Sequence, residues 1–414
     1  MVRGLQGMEQ EAGDSVDAAP GRRRGASPAR RLLAFWPVLM AGLLAVLVGS
    51  AYQGWVLTHP RRAPVTGNPG TKAYLEYRLL PCQHHIACGR PLLVPGTHIA
   101  IAGWAIPYTP DSGYPGPSSN WSQNTVVFVA DHGQSRTSTP FPLYDVTMVL
   151  NEMGYNVVLY DAEGTGRSGG GAIGFGTVEV RDLQAVIANL QSEGAPQGRI
   201  AVWGLGTGAD TAILAAAENP AISAVIADSP YLTPDGFLLR AIPRWTGLPA
   251  FPFARTILWA MQTETGVRYG RYSPLAAVRR LGEGAGTPGR PLLLVSGSAD
   301  TLTPPADAAG LYAASHDNNA LYLPVPGAGH LQAFADSPAG SVPGLSLYMC
   351  DALDTLAAMR TGRSPGEEQR AAPCGGAGPV LSSPNLPPLP GGVGGAGVRA
   401  AAIPSPASGA SKTG

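Results

Sequence analysis

The residues that could do chemistry in this chain are few, and one of them lacks its side chain. Trp203-Gly204-Leu205-Gly206-Thr207-Gly208 stands between an apolar run, Ile200–Trp203, and an alanine-rich helical pattern, Ala209–Ala217. Strand, sharp glycine turn and helix are the setting in which a G-x-S-x-G segment raises a serine hydroxyl above a sheet for nucleophilic attack. Here the apex is Gly206, which has nothing to attack with. The backbone at such an apex is strained, by about 1–3 kcal/mol for a residue with a side chain. Glycine relaxes that strain, so the exchange suits the fold while removing the nucleophile, and it leaves room for a water or a ligand group. Two proton-exchanging side chains follow later apolar runs: Asp300 in Ser296-Gly297-Ser298-Ala299-Asp300, and His330 in Val325-Pro326-Gly327-Ala328-Gly329-His330. A carboxylate and an imidazole are the pair that acyl transfer uses to move a proton.

These segments need a scaffold, and the sequence supplies one. Strand-like runs read Thr97–Ile106, Thr125–Val129, Tyr155–Tyr160, Arg199–Trp203, Ala221–Ala227, Pro291–Val295 and Ala320–Pro324. Helical patterns read Pro142–Glu152, Val178–Gln191, Thr207–Glu218, Pro274–Leu281, Pro305–Ser315 and Pro343–Arg360. Such alternation predicts an α/β fold, a mainly parallel sheet with helices on both faces. Residues 230–272 interrupt the alternation with an apolar, proline-containing stretch, which reads as a small helical cap above the strand ends. Residues 363–414 are rich in Pro, Gly, Ala and Ser without periodicity and read as a disordered tail.

The 414 residues carry no net charge and are 14% charged. That balance gives no electrostatic footprint for nucleic acid. Leu32–Ala51 is an uncharged run of about twenty residues, long enough to cross a ~30 Å hydrocarbon core. Arg22, Arg23, Arg24, Arg30 and Arg31 precede it and only Arg61 and Arg62 follow closely. The positive-inside rule therefore puts residues 1–31, polar and disordered, in the cytoplasm and the main domain outside. Residues 52–71 read as a linker and 72–362 as the folded domain. A cleaved signal peptide is the alternative, with Gly49-Ser50-Ala51 as its small-residue site. All four cysteines, Cys82, Cys88, Cys350 and Cys374, follow the apolar run. An even number in an exported domain suggests disulfides, locally Cys82 with Cys88 and Cys350 with Cys374. Cys82-Gln83-His84-His85-Ile86-Ala87-Cys88 matches no common zinc spacing, and neither metal nor cofactor is expected.

Taken in order, the turn at Gly206, the acid and the histidine follow the sequence of triad partners in one large group of enzymes. At these positions, and at Gly103-Trp104-Ala105-Ile106-Pro107, the chain resembles the α/β-hydrolase superfamily, particularly membrane-anchored bacterial members of the serine aminopeptidase/esterase type. The resemblance implies that Asp300 is the triad acid and His330 the general base, with Gly206 at the nucleophile position. It implies that Ser229 and Ser168 are structural. It also aligns Val126–Arg136 with the loop that carries half of the oxyanion hole, and Thr207 with the other half. In that loop Ala130-Asp131 stand where His-Gly is usual, and an aspartate there would repel an oxyanion. A two-residue deletion would instead put His132-Gly133 in that place, but the gapless match keeps Gly133, Ser135 and Arg136 together.

Two functions follow from this. One is a membrane-anchored, extracytoplasmic homologue that has lost catalysis and binds a small apolar ligand or a partner. The other is a working ester or amide hydrolase in which the Asp300–His330 pair uses an atypical nucleophile or an activated water. The residues favour the first.

Overall fold

Among the described residues eight strands build the sheet, and their apolar runs explain why. The computed structural model describes residues 28–65, 91–94, 99–106, 108, 123–282, 289–315, 319–336 and 347–362. The strands are β1 (Pro91–Val94), β2 (Ile99–Ile106), β3 (Thr125–Val129), β4 (Asn156–Tyr160), β5 (Ile200–Leu205), β6 (Ile222–Asp228), β7 (Leu292–Gly297) and β8 (Ala320–Val325). They lie in the order β1-β2-β4-β3-β5-β6-β7-β8. Pairing is parallel from β4 through β8, and β2 runs antiparallel to both its neighbours. Strands β3, β4, β5 and β7 are buried along their whole length, as a sheet covered on both faces requires. Seven of the eight strands coincide with the apolar runs of the sequence. The eighth, β1, is a four-residue edge strand with too few residues to show a pattern.

Successive strand residues feed two different cores. Val127, Val129, Val202 and Leu294 pack on one face with α3 (Glu179–Ser192), α4 (Thr207–Glu218) and α7 (Pro274–Gly282). Val126, Phe128, Trp203 and Leu293 pack on the other with α2 (Leu143–Glu152) and α10 (Leu347–Thr361). Two further helices, α8 (Pro305–Ala314) and the short α9 (Ala333–Asp336), follow β7 and β8. Cys350 is buried on α10. Cys82, Cys88, Cys374 and the C-terminal tail lie outside the described residues.

Two helices fill the interruption between β6 and α7. The first, α5 (Pro234–Thr246), starts at Thr233, whose hydroxyl accepts the Gly236 N–H at 3.3 Å, and stops at left-handed Gly247. The second, α6 (Ala250–Thr265), has a kink at Phe251 and ends at Gly266. Phe237, Leu238, Ile242, Ile257 and Met261 of this pair form a separate apolar cluster with Ile173, Phe175 and Tyr231.

The N-terminal helix α1 (Pro28–Thr58) is long and apolar, with mean hydropathy 1.8 over Phe35–Thr58 and most of its surface exposed. It does not stop at Ala51, where the linker was expected to begin. The last turns are held by α6: Ser50 and Thr256 hydroxyls meet at 2.7 Å, and the Thr58 hydroxyl reaches Glu264 Oε2 at 3.5 Å. Gly54 lies between them against Ala260 and Met261. The following residues cross the loops above the sheet, where Ser135 Oγ donates to Pro64 O at 3.2 Å and Arg62 donates to Ser168 O at 2.5 Å.

Candidate active site

Gly206 sits at the end of β5 with φ 56° and ψ −124°, a conformation a side chain adopts only with strain. The turn can be this sharp because its flanking glycines allow backbone contact: a Cβ at Gly208 would overlap the Val129 and Ala130 carbonyls, and one at Gly204 the Gly208 carbonyl. Helix α4 therefore starts directly above β3 and β5, with its free N–H groups pointing at the site. Thr207, its first residue, is buried.

The space that a side chain at Gly206 would need is taken. A Cβ built on Gly206 overlaps the carboxylate of Asp131, which comes from the loop after β3. Asp131 Oδ1 accepts the Thr207 N–H at 2.8 Å and contacts His132 Nδ1 at 2.8 Å. Its Oδ2 lies 3.6 Å from His330 Nε2, an ion contact just beyond hydrogen-bond length. The expectation that glycine leaves room for a water or a ligand group is thus overturned: a carboxylate from 75 residues earlier in the chain fills the gap. Asp131 thus takes up the Thr207 N–H, the donor that the resemblance assigns to an oxyanion.

His330 and Asp300, the two proton-exchanging residues singled out in the sequence, come together. His330 Nδ1 lies 2.8 Å from Asp300 Oδ2. Asp300, in the loop after β7, also accepts the Leu302 and Thr303 N–H groups at 2.8 and 2.9 Å and the Thr303 hydroxyl at 2.6 Å. Thr303 was not foreseen, although its place three residues after the acid is the spacing of a local side-chain-to-backbone turn. Ser229 has φ 58°, and its hydroxyl donates to Asp228 Oδ1 at 2.9 Å and accepts the Leu331 N–H at 3.4 Å, tying the histidine loop to β6. Ser168 donates to Asp161 O at 2.5 Å. Ser168 serves backbone, and Ser229 joins a buried carboxylate to the histidine loop.

The electrostatics follow from these contacts. Burial opposes the charge on His330, but hydrogen bonding and Coulomb attraction from Asp131 and Asp300 outweigh it and push the pKa up to about 10. Burial would raise Asp131, yet the adjoining His132 and His330 hold it well below the usual carboxylate range. Asp300 is likewise lowered despite burial, through His330 and Thr303. An imidazolium between two carboxylates results, with one carboxylate also at the positive end of α4. The Asp131 loop is held rigidly. Arg136 Nη1 meets Asp161 Oδ2 at 2.5 Å, both nearly fully buried, and the Arg136 N–H bonds Asp161 Oδ1 at 2.7 Å. Around His132 stand Phe175, Phe237 and Trp245, with ring centroids 4.9–6.1 Å away. No cluster of metal-ligating side chains is present among the described residues.

The strand order, the strained turn after β5 and the acid and histidine after β7 and β8 define the α/β-hydrolase fold. Within it, residues 123–266 match the family described as Serine aminopeptidase, S33. The Bacillus subtilis protein YqkD is 28% identical over 174 residues, which cover 42% of this chain and 55% of YqkD, so the match spans about half that relative's length. Among solved structures, an esterase of Pyrococcus furiosus is 22% identical with TM-score 0.50, over 67% of this chain and 91% of its own. A puromycin hydrolase is 22% identical with TM-score 0.47, over 66% of this chain and 39% of its own.

Proposed function

We propose that this chain is a membrane-anchored, extracytoplasmic hydrolase-fold protein that has given up serine-hydrolase chemistry and holds a small apolar ligand or a partner beneath its cap. One observation carries the reading: the Asp131 carboxylate stands where a nucleophile side chain would project from residue 206, and it accepts the Thr207 N–H. Each requirement of acyl transfer is blocked at the same spot. Gly206 provides no nucleophile. The Thr207 donor already holds an anion, which is worth roughly 3–4 kcal/mol of lost transition-state stabilisation. His330 is already protonated at neutral pH, with its pKa about 10, so it has no lone pair with which to activate a water. The apolar side chains that a ligand would meet are those around His132, chiefly Phe175, Phe237 and Trp245. The anchor is α1, whose apolar surface is long enough to cross a bilayer.

A hydrolase that uses Asp300 and His330 with water requires that His330 be neutral, which the two flanking carboxylates oppose. The readings separate in a labelling experiment on the full chain in detergent. The native protein is expected to show no reaction with a fluorophosphonate probe and no hydrolysis of short p-nitrophenyl esters. The double variant Asp131→Gly/Gly206→Ser is expected to gain labelling, because it clears the carboxylate and restores the hydroxyl together. Robust ester hydrolysis by the native chain, abolished in His330→Ala, would sink the non-catalytic reading.

A further inference from the structure

The cap carries an apolar tip that nothing in the described structure covers. Phe251 is 89% exposed at the kink that opens α6, Pro249 and Ala250 beside it are exposed, and Trp259 two turns later is 60% exposed. Side chains this large and apolar are uncommon on a surface facing only water, above all on the tip of a projecting element.

What lies beside the tip identifies its occupant. Helices α1 and α6 run parallel, matched at Ser50–Thr256, Gly54–Ala260 and Thr58–Glu264, each at the same offset along the two chains. Both sides of the seam are small or polar at every fourth residue, which lets the backbones approach closely. Carried one turn further towards the N-terminus, the register puts Pro252 level with Val46, and Phe251 just beyond. Pro252 is then about 8 Å below the level of Ala51 along the axis of α1, from the 1.5 Å rise per residue, and Phe251 stands beside it at the kink. Val46 is half-buried, and Leu43 and Leu47 on the adjoining turns of α1 are exposed, so the tip stands beside the exposed apolar surface of that helix. Arg255, exposed on α6 one turn after the tip, is level with Gly49, and Tyr52 and Trp55 are exposed on α1 just above. Apolar residues below, then a cation and aromatic rings, is the layering of a bilayer boundary.

The domain also cannot swing away from that position on a loose tether. Beyond Thr58 the chain is clamped: the Ile173 N–H bonds Thr58 O at 2.8 Å, Arg62 bonds Ser168 O and Gly170 O at 2.5 and 2.6 Å, and Pro60 lies on Gly133.

We propose that the tip of the cap, Pro249–Phe253, is a second membrane-contact element, inserted in the leaflet from which α1 emerges and fixing the site loops at the lipid surface. The proposal rests on the reading of α1 as an anchor. Its depth fits the roughly 5–10 Å by which interfacial apolar segments enter the headgroup and acyl boundary.

Photo-crosslinking tests it on the full chain reconstituted in phosphatidylcholine–phosphatidylglycerol nanodiscs. Benzoylphenylalanine is placed singly at Leu44 in α1, at Phe251, and at Gln197, which is exposed beyond the opposite ends of the strands. Lipid adducts are counted by mass spectrometry. The expected result is adducts at Leu44 and Phe251 at comparable yield, and at least tenfold fewer at Gln197. Adducts at Leu44 with Phe251 no higher than Gln197 would overturn the tip proposal and leave the anchor standing. No adducts at Leu44 would overturn the anchor, and the proposal with it. Chain-to-chain products in place of lipid adducts at Phe251 would overturn it in favour of a contact between copies.

Discussion

At the scale of single residues, two departures from the usual hydrolase pattern turn out to be one. Gly206 and Asp131 were each visible in the sequence as anomalies. Their contact was not, because nothing in local spacing says which side chain enters a space vacated by another 75 residues away. The pairing makes quantitative predictions. Gly206→Ser alone should be destabilising by about 1–3 kcal/mol, the usual cost of forcing extra atoms into a filled site. Asp131→Gly in the same chain should recover most of it, and urea midpoints of the two variants decide the matter. His330 offers a second check. Its folded pKa, about 10, exceeds the ordinary 6.5. The charge therefore contributes its full stability below about pH 6.5, and the contribution is lost as pH rises through 10, by linkage. The amount is on the order of a few kcal/mol for a group this buried. Comparison of native chain and Asp131→Asn across pH 6–10 isolates it, because the other titrating groups are common to both. The native slope should be steeper, and the His330 ring resonance in NMR should titrate at a lower pH in the variant. Equal slopes would show that Asp131 is not the partner.

At the scale of elements, the sheet was legible because its strands are apolar on both faces. An unbroken run such as Thr125–Val129 announces a strand buried from above and below. The end of α1 was not legible. Tyr52-Gln53-Gly54 reads as polar chain leaving a membrane, and only the matching Ala260 on α6 explains why a glycine there continues a helix. A Cβ at Gly54 would stand 3.2 Å from Ala260 Cβ and Met261 N. Gly54→Leu should accordingly separate α1 from α6 while the hydrolase-fold domain stays folded. Limited proteolysis reports it as new cleavage near residues 59–65, with the far-UV circular dichroism unchanged. A silent Gly54→Leu would mean that the seam does not hold the helix. The loop after β3 is the opposite case, fixed from within the domain. Arg136→Ala leaves Asp161 charged and buried, a change that typically costs about 3–5 kcal/mol. A loss under 1 kcal/mol in chemical unfolding would contradict the rigid placement of Asp131.

At the scale of the whole molecule, the question is whether α1 stays attached. The apolar run alone is ambiguous, since a signal peptide cleaved after Ala51 has much the same composition. Packing supports the proposed anchor. Cleavage there would remove Ser50 from its hydroxyl contact with Thr256 and leave Tyr52–Thr58 as a severed two-turn helix on α6, although Gly54 lies against Ala260 and the Thr58 hydroxyl reaches Glu264. A seam continuous across the candidate cleavage site is what the proposed retained anchor needs. The expected outcome is a membrane-extracted protein of full-length mass that keeps an N-terminal epitope. Protease added to intact cells stripped of their outer layers should spare that epitope, because the proposed topology puts the arginine-rich end in the cytoplasm, and should reach a C-terminal one. A mature protein beginning at Tyr52 would remove the anchor. An N-terminal epitope digested from outside would reverse the orientation, and with it the oxidising setting that makes paired cysteines the expectation.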